Sequence, residues 1–323
     1  MTALFIDRGA TLTNLYVADR EGRIDDVIVG FHDPRDYFAP HPHLGCIVGR
    51  CANRIRNSRC SIDGQVYALA PTHPPHHLHG GPDGFHSRRW RLEYQPLPAA
   101  VRFSLDSPDG DQGYPGRVHV IATYSFTATG ALRLVLTARC DRATVINLTA
   151  HPYFNLAGAA QAVSIADHTV RIAANHYLPI DTDLVPTGEI ASVSDTAFDL
   201  RKSQRLGPLL ANDDEQRHRA GAGFDHNFVV DGTGMRFCAE VSEPIGGRRL
   251  TLFTDQPGVQ FYTGNTLDIV GKSGLRRQIH HGLCLETQGF PNAINEPGFP
   301  SVIVRPTQRY HSVTEWHFDT VPS

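Results

Sequence analysis

Two side chains in this sequence stand where proton transfer could be done. The first is Glu286, in the stretch GLCLETQGFP (282–291). Period-two alternation puts Leu283 and Leu285 on one face of a strand, and Cys284 and Glu286 on the other. A carboxylate near the end of so apolar a strand, beside the turn marked by Gly289 and Pro291, costs free energy unless it is paired, hydrogen-bonded or open to a cleft. It is therefore a strand-end glutamate facing water or an arginine, or else a general base. The second is His151, in NLTAHPYFNL (147–156). Pro152 biases it towards extended backbone, and its neighbours are aromatic. A core histidine with one nitrogen satisfied fits this setting. So does a proton donor, because imidazole is the side chain most easily poised near neutral pH.

Four further segments carry polar groups in glycine-led or aromatic surroundings. GRCANRI (49–55) places Asn53 and Arg54 just after a glycine. The guanidinium fork of Arg54 suits a sugar hydroxyl as well as a structural carboxylate. His73, His76, His77 and His79 crowd together ahead of Gly80-Gly81. His77 and His79 would make half a metal site, but no nearby carboxylate or cysteine completes a ligand set, so no metal is expected. The paired glycines suit a tight turn that presents one imidazole, His79, to a cleft. FDHNF (224–228) and PGVQFYTGN (257–265) set Asp225 and Gln260 among rings. Rings stack on the C–H faces of a sugar while amides and carboxylates take its hydroxyls. Either segment alone could be a turn with core flanks.

The elements that must position these groups are strands. Short alternating runs bounded by Gly, Pro, Asn and Asp dominate, as at 26–30, 117–126, 132–138, 170–172, 237–241, 250–254 and 302–304. Thr129-Gly130 reads as a hairpin turn between two of them. Many short strands with regular turn signals predict an all-β protein, a large antiparallel β-sandwich or barrel. Helix is expected only in patches, at 203–210 and within 49–56; residues 96–98 and 212–219 read as surface loops. With no internal repeat and no linker, residues 1–323 are expected to form one domain.

Composition narrows the function. A hydrophobic fraction of 41% and a charged fraction of 20% describe a soluble globular chain. A net charge of -3 gives no reason to invoke nucleic acid or an anionic membrane. No apolar run approaches the ~20 residues of a spanning helix, and the charged start is a poor secretion signal. The scattered cysteines lack CxxC spacing, so free thiols in a reducing compartment, the cytoplasm, are expected. Lys202 and Lys272 are the only lysines. Neither sits in an apolar run, which argues against a Schiff base.

Taken in order, the segments resemble the aldose 1-epimerase family, the galactose mutarotases. The series comprises GAT (9–11), GCIVGRCANRI (45–55), LHGG (78–81), GF (84–85), NLTAHPYFNL (147–156), LPID (178–181), PTGE (186–189), FDHNF (224–228), PGVQFYTGN (257–265) and LETQ (285–288). Single motifs are weak; the ordered series is specific and spans nearly the whole chain. The resemblance implies a large β-sandwich with the sugar in an open cleft. It implies Glu286 as general base and His151 as general acid, with His79, Arg54, Asp225 and Gln260 holding and polarising the sugar, and Asn53 adding a contact. It implies a free aldose as substrate, no cofactor, and a monomer or homodimer. Three departures stand out: Ala150 and His76 occupy positions where the family often has Asn, and so little precedes Gly9 that the sequence leaves open whether a first edge strand is present.

Mutarotation would remove a proton from the anomeric hydroxyl and deliver one to the ring oxygen. An ionised Glu286 and a protonated His151 would do this, and their mutual attraction is expected to raise the histidine pKa and lower that of the glutamate. Two other enzyme readings compete. A phosphosugar epimerase would need an arginine cluster. A glycoside hydrolase would pair Glu286 with Asp225 and leave His151 without a task. A non-catalytic sugar-binding module would keep the rings and lose the acid or base.

Overall fold

Strand-forming residues dominate the core of the protein, seen in a computed structural model that describes residues 1–94, 99–159 and 161–322. The larger sheet runs Arg91–Glu93, Ala100–Ser107, Val118–Phe126, Leu132–Cys140, Tyr310–Thr320, Arg248–Thr254, Arg236–Ser242, Thr169–Ile172 and Gln204–Arg205, in that spatial order. Each neighbouring pair is antiparallel. Alternation sets its inner face: Val118, Val120, Ala122 and Tyr124 are buried, while the residues between them are half-exposed. The hairpin expected at Thr129-Gly130 closes with Phe126 opposite Leu132.

A second antiparallel sheet carries the chemistry-bearing segments. Its order is Ala191–Ser192, His176–Tyr177, Asp225–Val229, Gly258–Tyr262 and Cys284–Gln288. Phe228, Val259, Phe261 and Leu285 point inwards and join Leu134, Leu250 and Leu252 of the large sheet in one core cluster. Each fully buried Phe or Leu there contributes about 1.5–3 kcal/mol. That burial offsets the cost of holding polar groups out of water on the opposite face of the same strands.

Local chemistry overrides several expectations. Residues 49–56 are not helical. Arg54–Ile55 pairs with His77–Leu78, and a 3-10 turn follows at Arg56–Ser58. Asn53 has a left-handed φ of 60°, which no helix continues through. The helix in the 203–210 region spans Leu206–Ala211, after Gln204–Arg205 has paired as a strand. Within the expected loop 212–219, Glu215–Arg219 is a short helix, with the Asp214 carboxylate accepting from the Arg217 amide as its cap. The edge strand that the sequence leaves open is present: Thr2–Ile6 pairs with Thr11–Ala18. The loop expected at 96–98 lies outside the described residues. All six cysteines are buried and free, and among the described residues no helix is long and apolar enough to cross a membrane.

Candidate active site

Strand register assembles the polar face. Asn227, Gln260 and Glu286 lie opposite one another in one cross-strand row, and Asp225, Tyr262 and Cys284 in the next. Period-two alternation turns all six away from the core. His151 arrives from the other side of the cleft. Thr149–Ala150 pairs with Ile47–Val48, the His151 amide donates to the Cys46 carbonyl at 2.9 Å, and Pro152 then redirects the chain. Phe154 and Leu283 exchange two backbone hydrogen bonds, of 2.7 and 3.0 Å. This cross-link sets His151 beside Cys284 and Glu286, so two segments more than a hundred residues apart meet at one point.

Glu286 Oε1 lies 3.3 Å from His151 Nε2, with both side chains almost wholly buried. Gln260 Nε2 donates to Asp225 Oδ1 at 2.7 Å, and Arg54 Nη1 stands 3.7 Å from Asp225 Oδ2. Asn53 shapes the turn. Its side-chain oxygen accepts from the Arg54 amide, its amide donates to His79 Nδ1, and its carbonyl accepts from the His79 amide. Gly80 answers the expected tight turn: at φ +84° a Cβ there would lie 1.8 Å from the Gly49 carbonyl oxygen. Asn53, Arg54, His79, His151, Asp225 and Glu286 line one cleft of about 230 Å³. Gln260 joins it through Asp225. Among the described residues, buried Glu286 Oε2, Gln260 Oε1 and Arg54 Nε have no hydrogen-bond partner, whereas buried polar atoms normally have one. They are the groups a polyhydroxylated ligand would satisfy.

Sequence reasoning missed part of this wall. Tyr153 stacks on His151 at 5.1 Å, and Tyr262 meets it edge-on at 6.4 Å. Both tyrosines stand inside quoted motifs, and alternation from Gln260 would have placed Tyr262. His43 packs against His79 and His151, at 4.6 and 5.9 Å between ring centroids. No local pattern marks it. Leu184 closes another side. A neighbouring cleft of about 350 Å³ shares His43 and Leu78 but does not include His151 or Glu286.

The remaining histidines of the 73–79 cluster work elsewhere. His77 is fixed between the Ala70 carbonyl and the Tyr114 hydroxyl. His76 accepts from the Asn57 amide and stands 3.3 Å from Asp183, beside Leu184. It therefore steadies a loop at the cleft rather than facing it. Ala150 is packed in the core cluster. Arg50 is tied to the carbonyls of Ser107, Pro108 and Pro115, a structural task distinct from that of Arg54.

Electrostatics reverse one expectation. Attraction between acid and base does not dominate. Burial raises the Glu286 pKa well above the usual carboxylate range, aided by the Asp225 charge and opposed by Arg54. Burial lowers His151 to about 4, with its own backbone carbonyl opposing. Desolvation penalises each charged form more than the partner rewards it. Both shifts favour the uncharged forms, a carboxyl against a neutral imidazole. Moving one proton across the 3.3 Å contact creates the carboxylate and the imidazolium.

An antiparallel β-sandwich carrying a buried carboxyl–imidazole pair in a polar, ring-walled cleft defines an all-β protein with a candidate active site in that cleft. The chain belongs to the aldose 1-epimerase family, whose model matches residues 1–317, and it is an isomerase of that family. It is 46% identical to galactose mutarotase from Homo sapiens over 316 residues, covering 97% of this chain and 90% of the relative. It is 34% identical to aldose 1-epimerase from Escherichia coli, covering 98% and 92%. An aldose epimerase homologue from C. elegans superposes with a TM-score of 0.92 at 31% identity, covering 99% of this chain and 96% of that one.

Proposed function

We propose that this chain interconverts the α and β anomers of a free aldose, galactose or glucose, with Glu286 as general base and His151 as general acid. The observation that carries the reading is the 3.3 Å contact between the two groups inside the polar cleft. Glu286 takes the proton from the anomeric hydroxyl while His151 Nε2 gives one to the ring oxygen. Both oxygens are bonded to the same carbon, so two adjacent groups reach them together. The bond from C1 to the ring oxygen breaks, the aldehyde turns about C1–C2, and closure on the other face reverses both transfers. No covalent intermediate, metal or cofactor enters these steps. General acid–base assistance of this kind contributes about 10²–10⁴-fold.

Asp225, Gln260, Arg54, His79 and Asn53 hold the hydroxyls in this reading, and the tyrosine faces take the C–H side of the sugar. Arg54 is the arginine that lines the cleft, and it is already paired with Asp225. That favours an unphosphorylated sugar over a phosphosugar, which would need several free cations. Asp225 is tied up by Gln260 and Arg54, which disfavours it as the second carboxylate of a hydrolase. The reading takes residues 1–323 as one unit acting in the cytoplasm, as monomer or homodimer; free buried thiols support a reducing setting.

Polarimetry on freshly dissolved α-galactose and α-glucose tests the activity. An accelerated approach to optical equilibrium, catalytic in protein, is expected; a rate equal to that of buffer alone would remove the assignment. The protonation order makes a second expectation. Between the two pKa values the pair holds one exchangeable proton, so kcat/KM should form a plateau. It should fall towards acid near pH 4, where His151 takes a second proton while Glu286 stays protonated. It should fall towards alkali as Glu286 loses its proton and no acid is left. Glu286 should keep its carboxylic-acid band above the pH at which an ordinary carboxylate has lost it, in infrared difference spectra of the parent against Glu286→Gln. A carboxylate band there would restore the opposite order.

A further inference from the structure

The sulfur of Cys284 approaches His151 Nδ1 at 3.5 Å, while Glu286 Oε1 approaches Nε2 at 3.3 Å. Cys284 is fully buried, between Glu286 and the cluster of Val29, Tyr37, Leu44 and Tyr153. Two residues before Glu286 on the same strand, it must share that residue's face. We infer that Cys284 is a positioning residue for the proposed general acid: it receives the Nδ1–H of His151 and so reserves Nε2 for proton exchange. The inference rests on the acid–base reading above.

When Glu286 is protonated and donates to Nε2, the neutral imidazole must carry its hydrogen on Nδ1. When that proton crosses to Nε2, the imidazolium keeps the Nδ1 hydrogen. When Nε2 gives its proton to the ring oxygen, Nδ1 keeps it again. Nδ1–H therefore persists through the cycle and needs a constant acceptor, a role that the Cys284 sulfur shares with the His151 backbone carbonyl. Histidines commonly find a carbonyl or carboxylate there. A carboxylate would stabilise the imidazolium and weaken it as an acid. A thiol is a weak acceptor and a weak donor. It fixes the ring without adding charge, and His151 stays a strong acid. The stacked Tyr153 restrains the ring plane; the sulfur then selects which nitrogen faces the cleft.

Cys284→Ala, Cys284→Ser and the parent should be compared by polarimetry, thermal melting and ¹⁵N spectra of labelled His151. A hydrogen bond of ordinary net strength corresponds to about tenfold. Cys284→Ala should lose about tenfold in kcat with KM within about twofold, and Cys284→Ser, whose hydroxyl also accepts, should recover most of the loss. In the parent, neutral His151 should appear as the Nδ1–H tautomer, and in Cys284→Ala the Nε2–H form should gain population. The proposal is overturned if Cys284→Ala keeps its parental kcat, if Ser is no better than Ala, or if the parent shows the Nε2–H tautomer. His151→Ala separates the two readings. An active His151→Ala removes His151 as the acid altogether, whereas an inactive one beside a fully active Cys284→Ala removes only the role of the thiol.

Discussion

Glu286→Gln is expected to lower kcat by at least about 10²-fold with the fold intact. The amide keeps the size and planarity of the side chain but cannot take the anomeric proton. Stability should not suffer. Burial favours the neutral carboxyl, so a neutral amide in its place should leave the melting temperature equal or higher, as is common where an active-site group is held against its own preference. His151→Ala should cost a similar factor, because the ring oxygen then leaves without a proton. It should also melt somewhat lower, since Tyr153 and His43 lose a ring they pack against. In the proposed mechanism acid and base act in one concerted exchange, so the double variant should be little slower than either single one. Activity near the parental value in purified Glu286→Gln or His151→Ala would take that residue out of the mechanism. Additive losses would mean that the two groups serve separate steps.

Much of this site was legible because it is built on strands. Period two is a strict rule, so once 282–291 reads as a strand, Glu286 and Cys284 must share a face, and Gln260 must share one with Tyr262. The ordered motifs supplied the partnership between His151 and Glu286, which spacing alone could not: no local pattern shows that Phe154 and Leu283 exchange hydrogen bonds across the chain. His43 stayed invisible for the same reason. It belongs to no repeating pattern and enters the site through tertiary packing. The misread patches have a related cause. Residues 49–56 carry helix formers, but Gly49, the left-handed Asn53 and the buried hydrogen bonds of Arg50 outweigh intrinsic propensity. The protonation order failed differently. The sequence indicates which charges meet, and the depth of burial decides whether charging them is affordable at all.

The same burial should make the protein acid-labile well above the range in which carboxylates titrate. His41, His77, His86 and His168 are each held at about 4 by burial. His43 and His79 are also pushed well below the usual imidazole value, by burial and by neighbouring imidazoles. Unfolding returns each of them to about 6.5. Between the folded and unfolded values the unfolded chain binds more protons, so stability is fully present above about pH 6.5 and falls as the pH drops. The slope is up to about 1.4 kcal/mol per pH unit for each group. From pH 7 to pH 5, each histidine held at about 4 costs about 2 kcal/mol by that slope, and four cost roughly 7 kcal/mol. Glu286 works the other way: its raised pKa stabilises the fold towards acid, but it is one group against several. A loss of that size is comparable to the whole stability of a typical domain, about 5–15 kcal/mol. Urea midpoints at pH 7 and pH 5 measure it directly. A steep fall is expected, and replacing His86, which packs against His43 at 4.4 Å, with glutamine should flatten it by about one group's share. Equal midpoints at the two pH values would mean that these imidazoles reach water in the folded state, and the burial that sets the protonation order of the catalytic pair would fall with them.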